Sequence, residues 1–215
     1  TPSVSSAASD VYKRQNVTCI GAGVIGSGWA ARLLVNGINV TVFDEQPESY
    51  HRTNSSVKRA KKYLSQLTKA PLRRIGNLTF AKSLEDALKI PNYIIESLPE
   101  NLQLKQHLYK EIEDISIDTI ILSSTSGFKP TNLQKHMKNP KNLIVTHPFN
   151  PVYLMPLVEV VPGQARDQNI IDDVQHLLEY IGMVPIIIKK EIDAFVADRM
   201  LEAMWREALW LIKDD

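Results

Sequence analysis

The chain has 215 residues, 44% hydrophobic and 23% charged, with 25 basic and 24 acidic side chains for a net charge of +1. That composition is that of a soluble globular chain and excludes a disordered one, and the near-neutral balance gives no reason to expect nucleic acid or a membrane surface as partner. No apolar run approaches the roughly 18 residues that span a bilayer, and a single cysteine, Cys19, excludes an intrachain disulfide, so a reducing cytoplasm is the expected compartment.

Residues 1–15 are rich in Ser and Ala and carry neither a helical nor a strand period. They have no apolar core, which excludes a secretory signal. The run Asp10 to Gln15 resembles a translated sequencing adapter, so 1–15 is expected to be a non-native or disordered tail. From Asn16 strands and helices alternate. The pattern predicts strands over 17–20, 39–43, 78–81, 93–96, 119–122, 142–146, 157–161 and 184–188, and helices over 24–35, 47–67, 102–115 and 167–181. Asn36-Gly37 stops the first helix, and Ser83 with Asp86 caps a short one. Such alternation predicts an α/β fold, a Rossmann-type doubly wound and mostly parallel sheet covered on both faces. A second, helical domain is expected to begin near residue 192. Its helix runs to Asp215 without an evident cap, so the chain is expected to be a fragment, with 16–191 as its complete domain.

Gly21-Ala22-Gly23-Val24-Ile25-Gly26 matches G-x-G-x-x-G. Alone the pattern is weak, but here it follows a strand and opens a helix, as a dinucleotide site requires. Gly21 permits the turn, Gly23 admits the pyrophosphate to the backbone, and Gly26 lets helix and strand pack. The helix N-terminus offers free N–H groups and partial positive charge to phosphates. Asp44 ends the second strand, where a carboxylate accepts hydrogen bonds from the adenosine ribose. Glu45 adds negative charge and no arginine follows closely, which favours NAD over NADP. A flavin is the rival ligand, but it gives no role to the residues that follow.

Ser123-Ser124-Thr125-Ser126-Gly127 follows the fifth strand, at the carboxyl edge where ligands bind in such sheets. Thr146-His147-Pro148-Phe149-Asn150-Pro151 comes next, then Glu159. A strand–turn–strand excursion between them brings His147 and Glu159 together, and a histidine oriented by a carboxylate is a general base near neutral pH. The alternative for His147 is a strand-end histidine satisfied by backbone. His51, His107, His136 and His176 fall on helices or helix ends and read as surface residues. Lys105, by its place in a helix, reads as a solvated lysine.

In order and spacing these pieces resemble the 3-hydroxyacyl-CoA dehydrogenase family over nearly all of 16–215. The glycine loop with Asp44, Glu96 through Glu100-Asn101, Ser123 through Ser126, His147 through Pro151, Leu157 through Glu159, and Phe195 through Arg199 carry the likeness. It implies that Ser126 holds the substrate oxygen, His147 is the base and Glu159 orients it. It also implies that Glu100, Lys105 and Asn150 touch the nicotinamide end of NAD, that no metal is needed, and that the whole protein is a homodimer. Three departures are informative: Asp198 where the family has asparagine, Pro156 where CoA-dependent members have lysine, and Tyr153 in place of a small residue. The tryptophan-rich helix from Ala197 to Leu211, together with Ser124 to Phe128 and His147 to Tyr153, resembles the carnitine 3-dehydrogenase branch. A small cationic substrate is then expected, with Phe149, Tyr153, Asp198 and Trp205 as candidates for an ammonium pocket. The alternatives are a 3-hydroxyacyl-CoA substrate, with CoA phosphates on Lys58, Arg59, Lys61 and Lys62, and a non-catalytic NAD-sensing module. The bland reading of that basic helix is a solvated face.

Overall fold

The structure is a computed structural model that describes residues 16–67, 74–89 and 91–214; the expected tail over 1–15 lies outside the described residues. Eight strands form one sheet in the order β3-β2-β1-β4-β5-β6-β7-β8. They are β1 (Asn16–Ile20), β2 (Asn39–Phe43), β3 (Leu78–Phe80), β4 (Tyr93–Glu96), β5 (Ile120–Ser123), β6 (Leu143–Pro148), β7 (Leu157–Pro162) and β8 (Val184–Ile187). The helices are α1 (Val24–Val35), α2 (Ser49–Leu67), α3 (Leu84–Ala87), α4 (Leu102–Ile115), α5 (Pro130–Gln134), α6 (Gln168–Tyr180) and α7 (Ala197–Lys213). All neighbouring strands run parallel except β6 and β7, which are antiparallel. The doubly wound, mostly parallel sheet is therefore the fold that the alternation implied.

Strand side chains alternate between two cores, as a sheet covered on both faces requires. Val17, Cys19, Tyr93, Ile95, Leu122 and Ile144 enter one core with Trp29 and Leu33 of α1 and Val174 and Leu177 of α6. Ile20, Ile94, Ile121, Leu143 and Val145 enter the other with Leu108 and Ile112 of α4 and Leu133 of α5. The short helix α5, which the sequence pattern did not reveal, begins at Pro130 and supplies that last contact. Its five residues are too few for a helical period to show.

Arg32 on α1 is buried without a carboxylate partner among the described residues. Its Nε donates to Ile181 O at 2.8 Å, one Nη to Tyr153 O at 3.1 Å and the other to Gly182 O. Burial lowers the pKa of this guanidinium from its ordinary value. Beside it Gly28 lets α1 approach the turn after β6, since a Cβ there would stand 3.0 Å from Val152 Cβ. The cofactor helix, the end of α6 and the turn carrying Tyr153 are thus fastened together.

α7 differs from the other long helices because none of its residues is buried. Met200, Leu201, Met204, Trp205, Leu209 and Trp210 are half or more exposed. Phe195, just before it, is fully buried, and Ala194 and Phe195 have φ of 57° and 48°. No helix among the described residues is long and apolar enough to cross a membrane.

Candidate active site at the carboxyl edge of the sheet

Registers place the sequence-read pieces on one edge. Ile20 is level with Glu96, Glu96 with Ser123, and Ser123 with Val145. The glycine loop, residues 97–100 and the Ser126 turn therefore follow the carboxyl ends of adjacent strands, and His147 stands at the penultimate position of β6 on the same edge. β1 and β4 flank the point where strand order reverses, where ligands of such sheets bind.

The three glycines serve different ends. Gly21 has φ 84°, and a Cβ on Gly26 would lie 1.8 Å from Gly21 O. A Cβ on Gly23 would meet nothing within 4 Å, and Gly23 caps α1 with no side-chain hydrogen bond. Open space in front of uncapped N–H groups suits a pyrophosphate. Asp44 Oδ2 accepts the Ala22 N–H at 2.5 Å and Oδ1 the Gln46 N–H at 2.7 Å, so the acid also fixes the loop. Val24 and Ile25 open α1, Val24 being 64% exposed beside that space.

A buried network that sequence reasoning missed lies between β4, β5 and α4. Glu96, Lys105, Tyr109 and Ser123 are all at most 1% exposed. Lys105 Nζ donates to Glu96 Oε1 at 2.6 Å and to Leu98 O at 3.1 Å, so position on a helix misjudged this lysine as solvated. Glu96 also accepts the Leu98 N–H at 2.6 Å, the Tyr109 hydroxyl at 2.5 Å and the Ser123 hydroxyl at 2.7 Å. A counter-ion and three further donors thus satisfy the buried carboxyl group. Burial, then the Glu96 charge, pushes the Tyr109 phenol well above its usual range. The signal available in sequence was a glutamate and a tyrosine at apolar positions of β4 and α4.

The network reaches the surface through Glu100. Its Oε2 lies 3.7 Å from Lys105 Nζ, and its Oε1 accepts the Thr125 hydroxyl and the Gly127 N–H, the latter at 2.9 Å. Glu100 therefore grips the turn on either side of Ser126, which is itself exposed. Ser124 is held from below by the Trp29 Nε1–H at 3.1 Å and lies 3.0 Å from Ser97 Oγ.

His147 and Glu159 face each other across the antiparallel pair, as register partners. His147 Nδ1 lies 2.9 Å from Glu159 Oε2, both side chains nearly buried at 8% and 2% exposure. The other oxygen, Oε1, accepts the N–H groups of Val196 and Ala197 at 3.0 Å each. On the far side of the ring Asp198 Oδ2 stands 3.8 Å from His147 Nε2. Phe149 and Phe195 pack against the imidazole with ring centroids 5.0 and 5.6 Å away.

Of the four ammonium-pocket candidates, Phe149 and Asp198 are brought to His147. Tyr153 instead packs against Ala31, Val35 and Ala60 of α1 and α2, and Trp205 is 63% exposed on α7. Asn150 is exposed in the turn after β6. The remaining histidines are exposed, as are Lys58, Arg59, Lys61 and Lys62, whose helix buries Thr53, Ser56 and Ala60 on the opposite side.

Comparisons with known proteins place the chain among dehydrogenases. L-carnitine dehydrogenase of Mesorhizobium japonicum is 49% identical over 197 residues, covering 91% of this chain and 54% of that protein. L-carnitine dehydrogenase of Oceanobacillus iheyensis is 45% identical, covering 93% of this chain and 66% of the relative. The chain thus spans about half to two thirds of the length of these relatives. Among solved structures, an NAD-dependent 5-formyl-3-hydroxy-2-methylpyridine 4-carboxylic acid 5-dehydrogenase superimposes with a TM-score of 0.86 at 33% identity, covering 94% of this chain and 66% of that one. The model of the 3-hydroxyacyl-CoA dehydrogenase NAD-binding domain matches residues 16–192, and the chain belongs to that family, with NAD as its cofactor.

Proposed function

We propose that the protein oxidises the 3-hydroxy group of L-carnitine to 3-dehydrocarnitine, with His147 as general base. The observation that carries this reading is the imidazole held between two carboxylates, Glu159 on Nδ1 and Asp198 beside Nε2. Glu159, as acceptor, fixes the proton on Nδ1 and leaves the Nε2 lone pair for the substrate hydroxyl. As the O–H proton passes to Nε2 the C3–O bond becomes a carbonyl, and the imidazolium gains the charge of Glu159 as partner. NAD, when bound, accepts the hydride that leaves C3. Ser126, on the turn gripped by Glu100, holds the substrate oxygen in this scheme, and Glu100, Lys105 and Asn150 border the nicotinamide end.

Asp198 and Phe149 beside His147 support a cationic substrate. A quaternary ammonium has no N–H to donate, so an aromatic face and a nearby negative charge are what can hold it. The relatives named L-carnitine dehydrogenase support the same choice. In the full-length protein His147→Gln should lower carnitine turnover roughly 100-fold or more while NAD still binds. Unchanged turnover would make the histidine structural, whereas a wild-type protein that binds NAD without turning over would be a non-catalytic NAD module. Asp198→Asn should raise the Michaelis constant for carnitine more than that for NAD. Equal oxidation of a neutral 3-hydroxy acid of carnitine's size, or faster oxidation of a 3-hydroxyacyl-CoA, would defeat the carnitine assignment.

A further inference from the structure

Arg52 stands in the first turn of α2, a turn without acidic residues. A cation there opposes the helix dipole, so its place is not explained by helix stability. Its guanidinium donates through Nη1 to Ala22 O at 3.0 Å, in the middle of the glycine loop. No carboxylate pairs with it among the described residues. The opposite polar atom of Ala22, its N–H, is held by Asp44 Oδ2 at 2.5 Å. One loop residue is therefore gripped from both sides, by an acid at the end of β2 and by an arginine eight positions further on. The sequence alone suggested that no arginine stood close to Asp44; the fold brings one to the same residue.

We propose that Arg52 is a latent receptor for a 2′-phosphate, so that the choice of NAD over NADP rests on Asp44 and Glu45 repelling a group that Arg52 is placed to bind. The inference rests on the reading that Asp44 receives the adenosine ribose. A guanidinium with one N–H used on a neutral carbonyl keeps its charge and four further donors for a phosphate, which it can meet bidentately. Asp44 holds the 2′ oxygen by accepting its hydrogen, and a phosphorylated 2′ oxygen has no hydrogen to give. With the acid neutralised, the repulsion disappears and the arginine remains.

The test uses calorimetric affinities of the full chain for NAD, NADP, 2′,5′-ADP and 5′-ADP. Asp44→Asn removes the charge and keeps one of the two acceptors that serve the Ala22 and Gln46 N–H groups, with thermal melting as the check on folding. It should tighten NADP binding by about tenfold or more, the scale of one additional charge-assisted hydrogen bond. Adding Arg52→Met should abolish that increase. In the presence of the native Asp44, Arg52→Met alone should weaken 2′,5′-ADP by about threefold or more and leave 5′-ADP unchanged, an arm that does not disturb the acid. NAD binding with NADP and 2′,5′-ADP affinities independent of Arg52 would overturn the proposal alone. Failure of the wild-type chain to bind NAD would overturn it together with the reading of Asp44.

Discussion

Glu159 and Ala197 lie 38 residues apart, yet the carboxylate of the first accepts the backbone N–H of the second at 3.0 Å. The same carboxylate holds His147 through its other oxygen. α7 has no side-chain cap of its own, and this strand residue caps it from outside. The seat of the helix that carries Asp198 and the orientation of the base thus depend on one side chain. Glu159→Ala should destabilise the fold by about 2–4 kcal/mol, as expected for removing one partner of a buried charged network. Hydrogen exchange at the Val196 and Ala197 amides should accelerate more than at β1. Unchanged protection at those two amides would mean that α7 is held by something else.

Gly23 and Gly26 should separate cofactor binding from folding. Gly26→Ala places a methyl within 1.8 Å of Gly21 O, so it should lower the melting temperature and abolish NAD binding. Gly23→Ala meets nothing in the protein, and its cost to stability should stay within about 1 kcal/mol, since only a helix-cap preference is lost. Its affinity for NAD should nevertheless fall, because the methyl occupies the space in front of the N–H groups. Urea titration beside cofactor titration checks both; equal effects of the two variants on stability would contradict the division of roles.

Much of the site was legible because it is local or periodic. The glycine loop and Asp44 declare themselves by spacing, and a proline-containing turn between two apolar runs was enough to bring His147 to Glu159. What stayed hidden depends on tertiary placement. Lys105 lies on an amphipathic helix whose solvated and buried faces differ by a fraction of a turn, and only Glu96 in the facing strand makes burying it tolerable. Arg32 and Arg52 bond to main-chain oxygens, which have no residue identity and so leave no pattern. Tyr153 looked like part of the substrate wall because of its nearness in sequence to His147, whereas its ring packs on α1 and α2.

Cys19 gives a pH dependence with a definite sign. Burial raises its thiol pKa from 9.0 to about 12. The folded-state value is the higher one, so the contribution to stability is complete below the unfolded pKa and is lost as pH rises from about 9 towards 12. Comparing the chain with Cys19→Ala isolates this from other groups: the wild type should lose stability faster above pH 9. A thiol reagent should leave the native chain unmodified at pH 8 and react on denaturation. Prompt modification of the folded chain would contradict the burial.

The apolar side chains on α7 should make the 215-residue chain associate. Sedimentation should show a mass that rises with concentration, and Met204→Lys with Leu209→Lys should reduce it, because exposed apolar patches of this kind drive association. The chain should bind NAD but turn over carnitine negligibly, since the wall carrying Asp198 has no buried residue to hold it against substrate. A concentration-independent monomer, or robust turnover, would refute the respective claim.

The grip of Arg32 on the carbonyls of Tyr153, Ile181 and Gly182 has a consequence for mutation. Main-chain oxygens are supplied by any residue, so mutation at 153 or 181 leaves the anchor intact. The cofactor helix thus holds the backbone of the turn beyond the base independently of which side chain stands at 153. In this chain a change of side chain at 153 would alter the packing on α1 and α2 without releasing the backbone that carries it.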